Sequence, residues 1–302
     1  MSALCQKATW RRSIFGHGAA RRYARKEFCL ALRVSLRVIH CTRTVMIESL
    51  KPVSAVPVPC KVCGNEAMLY GVVDFHKCCV EKRGVQLPLS GIPIYYSRCA
   101  TCGFLFTDAF DCWSDDQFKA HIYNDGYSTV DPDYKSARPR SGADTVVRLF
   151  GKHRAELRVL DFGGGNDAFC NALRLNGFPV AVTYDPMTPE YAHRPDGKFE
   201  LVTCFETLEH MTDPSTGIAY MVDCLAEPGL VLFSTLVQPL DFNKLGLNWW
   251  YVGPRNGHIS IFSRKALEIA WRRHSCKLAS FNEAVHVAFR VLPSFATHLI
   301  KK

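Results

Sequence analysis

Two patterns in this chain are built for chemistry. The first is Arg158-Val-Leu-Asp161-Phe-Gly163-Gly-Gly165-Asn-Asp167. It sets a carboxylate at the end of a short apolar run. Three glycines follow, letting the backbone turn sharply and approach a ligand with no Cβ in the way. Asp185, further on, stands where an acid can accept both hydroxyls of a ribose. The second pattern is a matched pair of knuckles, Cys60-x-x-Cys63-Gly64 and Cys99-x-x-Cys102-Gly103. Each tight turn offers two thiolates, so the pair supplies a closed tetrahedral S₄ site. That set suits a structural zinc ion, because it leaves no position for a substrate. Free thiols, paired disulfides and an iron–sulfur cluster are the other readings of these four cysteines.

The glycine turn fits two kinds of cofactor. The spacing Gly163-x-Gly165-x-x-Ala168, with Asp185 beyond it, satisfies the dinucleotide fingerprint. A carboxylate directly before the first glycine would, however, repel a pyrophosphate. S-adenosylmethionine carries no phosphate, and its amino group and sulfonium are cationic, so Asp161 favours it over a nicotinamide cofactor. Downstream, Phe199-Glu-Leu-Val-Thr-Cys-Phe205-Glu206-Thr-Leu-Glu209-His210-Met-Thr-Asp213-Pro214 reads as a buried strand, a polar turn and a new helix. Asp213 is its cap and Pro214 its first residue.

These two motifs, in this order and about forty residues apart, resemble class I S-adenosylmethionine-dependent methyltransferases. The subgroup most similar holds the ubiquinone-biosynthesis O-methyltransferases and many sugar and glycan methyltransferases. The likeness covers roughly Arg158 to Leu292. It implies that Asp161, Gly163, Gly165 and Asp185 bind the cofactor, with Phe205 and Glu206 on the other side of the sheet's switch point. It also implies the knuckle module, since related glycan-tailoring enzymes carry one before the cofactor domain.

The elements that must position these groups follow from apolar pattern and punctuation. Leu157–Leu160 is the first strand, and Asn166 or Asp167 caps a helix whose apolar face is Phe169, Ala172, Leu173 and Leu175. Val180–Tyr184 is the second strand. Only thirteen residues, Pro186 to Lys198, then precede the next strand, and they contain three prolines. A helix and a further strand do not fit there, so the sheet should lack one edge strand. Pro214–Leu225 is a helix, Leu230–Leu236 the fifth strand, Arg264–His274 a helix capped by Ser263, and Lys277–Phe281 with His286–Leu292 a closing antiparallel pair. The fold class is therefore α/β, a doubly wound, mostly parallel sheet preceded by a small zinc-ribbon-like module.

Between the fifth strand and the last helix lies Trp249-Trp250-Tyr251-Val-Gly-Pro-Arg255-Asn-Gly-His258-Ile-Ser. It is too aromatic to stand in water without a reason, and flat faces suit sugar or aryl rings equally. His258 has the ordinary histidine pKa that suits a base taking a hydroxyl proton near neutral pH; a histidine bonded to the loop backbone is the other reading. Glu209 and His210 read as a pair that stabilises their turn, with a part in catalysis as the other reading.

Charge narrows the partners. The 302 residues carry a formal +9, yet residues 1–45 hold ten of the 37 Lys/Arg and one of the 28 acids. The other 257 residues thus hold 27 of each, a neutral body that argues against nucleic acid. No apolar run has membrane length. Cysteines inside apolar elements (Cys170, Cys204, Cys224) act as small hydrophobes and point to a reducing, cytoplasmic setting. The expected organisation is a basic, disordered extension over 1–45, a zinc module over 59–106, a linker or lid over 107–140 and a cofactor domain over 141–302. The expected activity is methyl transfer to a small acceptor, a sugar or glycan hydroxyl first and a phenolic or quinone-type ring second. A nicotinamide oxidoreductase and a zinc-bearing interaction protein with a dead cofactor domain are the competing classes.

Overall fold

The computed structural model describes residues 56–299, and the extension over 1–45 lies outside them. In chain order the strands and helices are β1 (Val58–Pro59), β2 (Glu66–Asp74), β3 (Pro93–Cys99), β4 (Leu105–Phe106), α1 (Asp115–His121), α2 (Tyr127–Val130), α3 (Ala137–Phe150), β5 (Arg158–Phe162) and α4 (Ala168–Leu175). Then come β6 (Val180–Tyr184), β7 (Phe199–Phe205), α5 (Pro214–Cys224), β8 (Leu225–Ser234), α6 (Phe242–Leu245), β9 (Ser260–Ile261), α7 (Arg264–Arg272), β10 (Lys277–Ser280) and β11 (Val285–Phe289).

The larger sheet has the order β10-β11-β8-β7-β5-β6. Its β6, β5, β7 and β8 are parallel, and β11 and β10 close it in antiparallel fashion. The short Pro-rich connection holds a single 3₁₀ turn, Pro189–Tyr191, and β6 is the edge strand. The sheet is one strand short on that side, as thirteen residues require. One face packs on α3, α4 and the turn Ser294–Leu299 through Val146, Phe150, Phe169, Leu173 and Phe295. The other packs on α5 and α7 through Ile218, Met221, Leu267 and Trp271.

Local capping follows the chemistry of the side chains. The Asp213 carboxylate accepts from Ser215 N and Thr216 N at the start of α5, and Ser263 Oγ accepts from Ala266 N in α7. At α4 it is Asn166, whose Oδ1 accepts from Ala168 N at 2.9 Å, that meets the free amide. Asp167 instead pairs with Arg174 and accepts from Thr183 Oγ1. Leu175, expected on the apolar face of α4, is the last residue of that helix and 81% exposed.

The smaller sheet, β1-β2-β3-β4-β9, takes its fifth strand from far along the chain. Ser260 and Ile261 pair with Phe106 and Leu105. The cysteine module and the stretch that follows His258 thus share one sheet. Phe104 and Phe262 pack together at 4.9 Å between ring centroids, joining the module to the core that also holds α7.

Candidate functional site

The four knuckle sulfurs converge. Cys60 Sγ lies 3.6 Å from Cys102 Sγ and Cys63 Sγ lies 3.5 Å from Cys99 Sγ, and all four are within 4.8 Å of one another. Sulfurs at tetrahedral corners about 2.3 Å from one ion would stand about 3.8 Å apart. The observed spacing fits that and is far from a disulfide, so these thiols are free. The Cys102 thiol bonds the Cys60 sulfur and draws its pKa down to about 5, which prepares the thiolate that a metal needs.

At the glycine turn, Gly163 and Gly165 adopt φ of +76° and +64°. A Cβ on Gly163 would stand 2.4 Å from Thr207 Cγ2, whereas one on Gly165 would meet nothing within 4 Å. One glycine is therefore required by the neighbouring turn, and the other leaves its backbone open to a ligand. Asp161 sits under the loop, 4% exposed, and its Oδ1 accepts from Thr203 Oγ1 at 2.8 Å. Burial raises its pKa to about 7 despite that bond, with Asp185 and Asp167 adding repulsion. Asp185 Oδ2 accepts from Gly165 N, and its Oδ1 from Met187 N, both at 2.8 Å. It closes the loop, and each oxygen keeps a lone pair for a further donor.

Phe205 and Glu206 end and follow β7, beside the carboxyl end of β5. Phe205 packs against Phe169 at 5.7 Å and stays half-buried. Glu206 is held in the left-handed region at φ +50°. Its Oε1 accepts from Ser234 Oγ at 2.6 Å. Holding a glutamate there costs energy that a rigid frame must cover.

Glu206 lines a small cleft of about 120 Å³ together with Asp131, Arg138, Trp250, Asn256 and His258. The cleft's wall is built by the bridge and the module. Arg138 forms a bidentate pair with Asp131 at 2.8 Å, and α3 begins at Ala137, which brings Arg138 to that wall. Tyr127 OH donates to Asn256 O at 3.2 Å, Tyr96 OH donates to His258 O at 2.7 Å, and Cys79 N donates to Asn256 Oδ1 at 2.8 Å.

Two expectations about the aromatic loop are corrected. Trp249 and Tyr251 do not stand over an acceptor; they are buried among Phe242, Ile259 and Val252. Trp250 and the edge of Tyr251 reach the cleft, and Lys82 Nζ covers the Trp250 face at 3.6 Å. His258 does not keep an ordinary pKa either. It is 7% exposed, and burial pulls it down to about 4. Its Nδ1 is bonded to Tyr251 O at 2.8 Å, so the ring is neutral and Nε2 is the nitrogen without that bond. The loop-bonded reading and a place in the cleft both hold for this residue.

Beneath it lies a set whose first reading from the sequence is a turn-stabilising pair. Glu209 is fully buried; its Oε1 accepts from Tyr251 OH at 2.7 Å and its backbone oxygen from Ile259 N at 2.9 Å. Burial and the nearby Glu206 push its pKa up to about 8. His210 stacks edge-on to His258 at 4.8 Å, and burial drives its pKa well down. The signal was the run Glu206-x-x-Glu209-His210 at a strand's carboxyl end, three titratable groups in five residues.

A parallel sheet with a glycine turn after its first strand, an acid under that turn and another after the second strand defines a cofactor domain of the nucleoside-binding kind. Residues 134–280 match a family model described as a methyltransferase domain. That match, over just under half of the chain, makes the segment similar to methyltransferase domains. Among curated proteins, a ubiquinone biosynthesis O-methyltransferase of Shewanella halifaxensis is 33% identical over 99 residues, 32% of this chain and 40% of that protein. One from Thiobacillus denitrificans is 40% identical over 116 residues, 31% of this chain and 48% of that one. The chain thus spans less than half the length of these relatives. Similar solved structures include magnesium protoporphyrin IX methyltransferase from Synechocystis with S-adenosylhomocysteine bound, at 18% identity and a TM-score of 0.40 over 61% of this chain and 97% of that one. An amino pentose methyltransferase from Micromonospora echinaspora aligns at 14% identity and a TM-score of 0.38 over 56% and 98%.

Proposed function

We propose that this protein transfers the methyl group of S-adenosylmethionine to a hydroxyl of a small acceptor bound in the cleft between Glu206, Arg138 and His258. The observation that carries this reading is the open backbone at Gly165, flanked by Asp161 and Asp185, on the same sheet edge as that cleft. Asp161 would face the cationic end of the cofactor and Asp185 its ribose, with Phe205 and Glu206 beside them. When bound, the cofactor supplies a methyl on a sulfonium, already a good leaving group. The chain's own contribution is then alignment and the handling of one proton. The methyl passes from sulfur to oxygen, and the hydroxyl proton leaves toward the neutral His258 or solvent.

The acceptor we favour is a sugar or glycan. Asp131, Arg138, Asn256, Lys82 and Arg83 line the cleft, and such donors and acceptors match a polyhydroxylated ring. A phenolic or quinone-type ring is the second reading, favoured by Trp250 in the cleft and by the names of the relatives. The four cysteines would hold one structural zinc. Its role would be to brace β4 and β9, and with them His258. We take 59–106 as that module, 107–140 as the cleft's lid and 141–302 as the cofactor domain. The neutral body and free thiols support a cytoplasmic protein that does not act on nucleic acid. Among the described residues, no helix is long and apolar enough to cross a membrane.

The test is a melting experiment with each cofactor. S-adenosylhomocysteine should raise the melting temperature in proportion to its occupancy, and NAD should leave it unchanged. Stabilisation by NAD alone would sink the reading.

A further inference from the structure

A second metal centre, unrelated to the cysteines, is suggested by a buried polar set that reaches the cleft through His258. A Glu209 carboxylate oxygen, a His210 ring nitrogen and a His258 ring nitrogen lie within 4.8 Å of one another. Two atoms of this set are buried without any hydrogen-bond partner, Glu209 Oε2 and His210 Nδ1. A buried carboxylate oxygen left unpaired beside an unpaired imidazole nitrogen is costly. A cation between them would satisfy both.

The surroundings are those of a metal centre's outer shell. Metal-bound histidines usually donate their other N–H to a carbonyl or carboxylate, which fixes tautomer and ring orientation. His258 Nδ1 bonds the Tyr251 carbonyl at 2.8 Å, which turns Nε2 into the available ligand. Tyr251 OH, itself accepting from Leu236 N at 3.1 Å, donates to Glu209 Oε1 at 2.7 Å and leaves Oε2 free. One residue thus orients two of the three ligands. Its fully buried place in the aromatic cluster makes that orientation rigid.

We propose that Glu209, His210 and His258 bind one divalent first-row transition ion, in a site with open positions facing the cleft. One carboxylate and two imidazoles suit zinc, iron, cobalt or manganese better than calcium or magnesium, and three ligands leave room for more. His258 lines the cleft that we assign to the acceptor, so an acceptor oxygen can take an open position. This deepens the methyl-transfer reading and rests on it for the acceptor. The ion would lower the pKa of the bound hydroxyl, whose proton then leaves to solvent, and so do the work otherwise asked of a base.

The experiment uses the whole protein with its cysteine site loaded, dialysed briefly against a chelator and titrated with Co²⁺ under visible absorption. Wild type should take about one further Co²⁺ per chain with the weak bands of a nitrogen–oxygen site, not the intense thiolate bands of the cysteine site. Tyr251→Phe should weaken that binding about 10–100-fold through its loss of outer-shell support, and Glu209→Gln should abolish it. S-adenosylhomocysteine affinity, measured on each variant, reports folding and is expected to be unchanged. Wild type that takes no further Co²⁺ overturns the site even if a variant fails to fold, as does Glu209→Gln binding Co²⁺ normally. Methyl transfer that proceeds undiminished in the chelator would assign the proton to His258 directly. Failure to bind S-adenosylhomocysteine would instead overturn the functional reading and leave the cation titration standing.

Discussion

A single methyl group added at Gly163 or at Gly165 should separate what the turn does for the fold from what it does for the ligand. Both residues have positive φ, so alanine at either costs about 1–2 kcal/mol in backbone conformation. At Gly163 the new Cβ would also lie 2.4 Å from Thr207 Cγ2 and 2.7 Å from its Oγ1. Thr207 cannot swing away cheaply, because its hydroxyl donates to Phe205 O at 3.0 Å. Overpacking of this kind adds about 1–3 kcal/mol, so Gly163→Ala should lose about 2–5 kcal/mol of unfolding free energy in all. Gly165→Ala should lose only the backbone part, since nothing lies within 4 Å of its Cβ. Its penalty should fall instead on the cofactor, about tenfold or more in S-adenosylhomocysteine affinity, which is about 1.4 kcal/mol. Urea unfolding of the cofactor-free variants and calorimetric titration read the two effects separately. Gly165→Ala binding within about threefold of wild type would refute the assignment of that backbone to the ligand, and equal stability losses would refute the contact with Thr207.

The raised pKa of Asp161, about 7 against an ordinary 3.8, gives a pH signature. The folded state holds this proton more tightly than the unfolded chain, so the cofactor-free protein should lose stability as pH rises from about 4 to 7 and level off above. S-adenosylhomocysteine, with its cationic amino group, should bind about tenfold tighter per pH unit up to that point, and Asp161→Asn should flatten both curves. Elemental analysis should find about one zinc held by the cysteine site, and Cys60→Ser should lose that metal along with folded protein; thiolate bands retained by the Co²⁺-loaded double Cys60→Ser, Cys99→Ser variant would remove these residues from the site. His258→Ala should cut saturated turnover by about 10²–10⁴-fold with S-adenosylhomocysteine affinity intact, whereas Trp250→Ala should act on acceptor KM. A saturated rate within about threefold, far below that expected loss, would take His258 out of the chemistry.

Much of the frame was legible in the residues because its causes are local. Val180–Tyr184 reads as a strand and forms one, and Asp213 and Ser263 cap the helices that follow them, since a cap depends on an oxygen and amides two or three residues away. The missing edge strand could be counted, because thirteen residues with three prolines cannot hold a helix and a strand. The convergence of the cysteines followed from two knuckles of the same form, whose turns leave each pair of thiols little freedom.

Tertiary structure alone decided what surrounds each reactive group. The pairing of Ser260 with Phe106 turned an independent-looking module into one wall of the cleft. The partners that surround His258 and Glu209 come from distant segments, Tyr96 bonding the His258 carbonyl from 162 positions away and Tyr251 bonding Glu209 from 42. The aromatic loop read as flat faces for an acceptor ring, yet Trp249 and Tyr251 fill a core, because an aromatic side chain goes wherever most of its surface leaves water. The pKa values of Asp161, Glu209 and His258 moved for the same reason. Residue type sets the ordinary value, and only packing from distant segments sets how much water is taken away from the charged form.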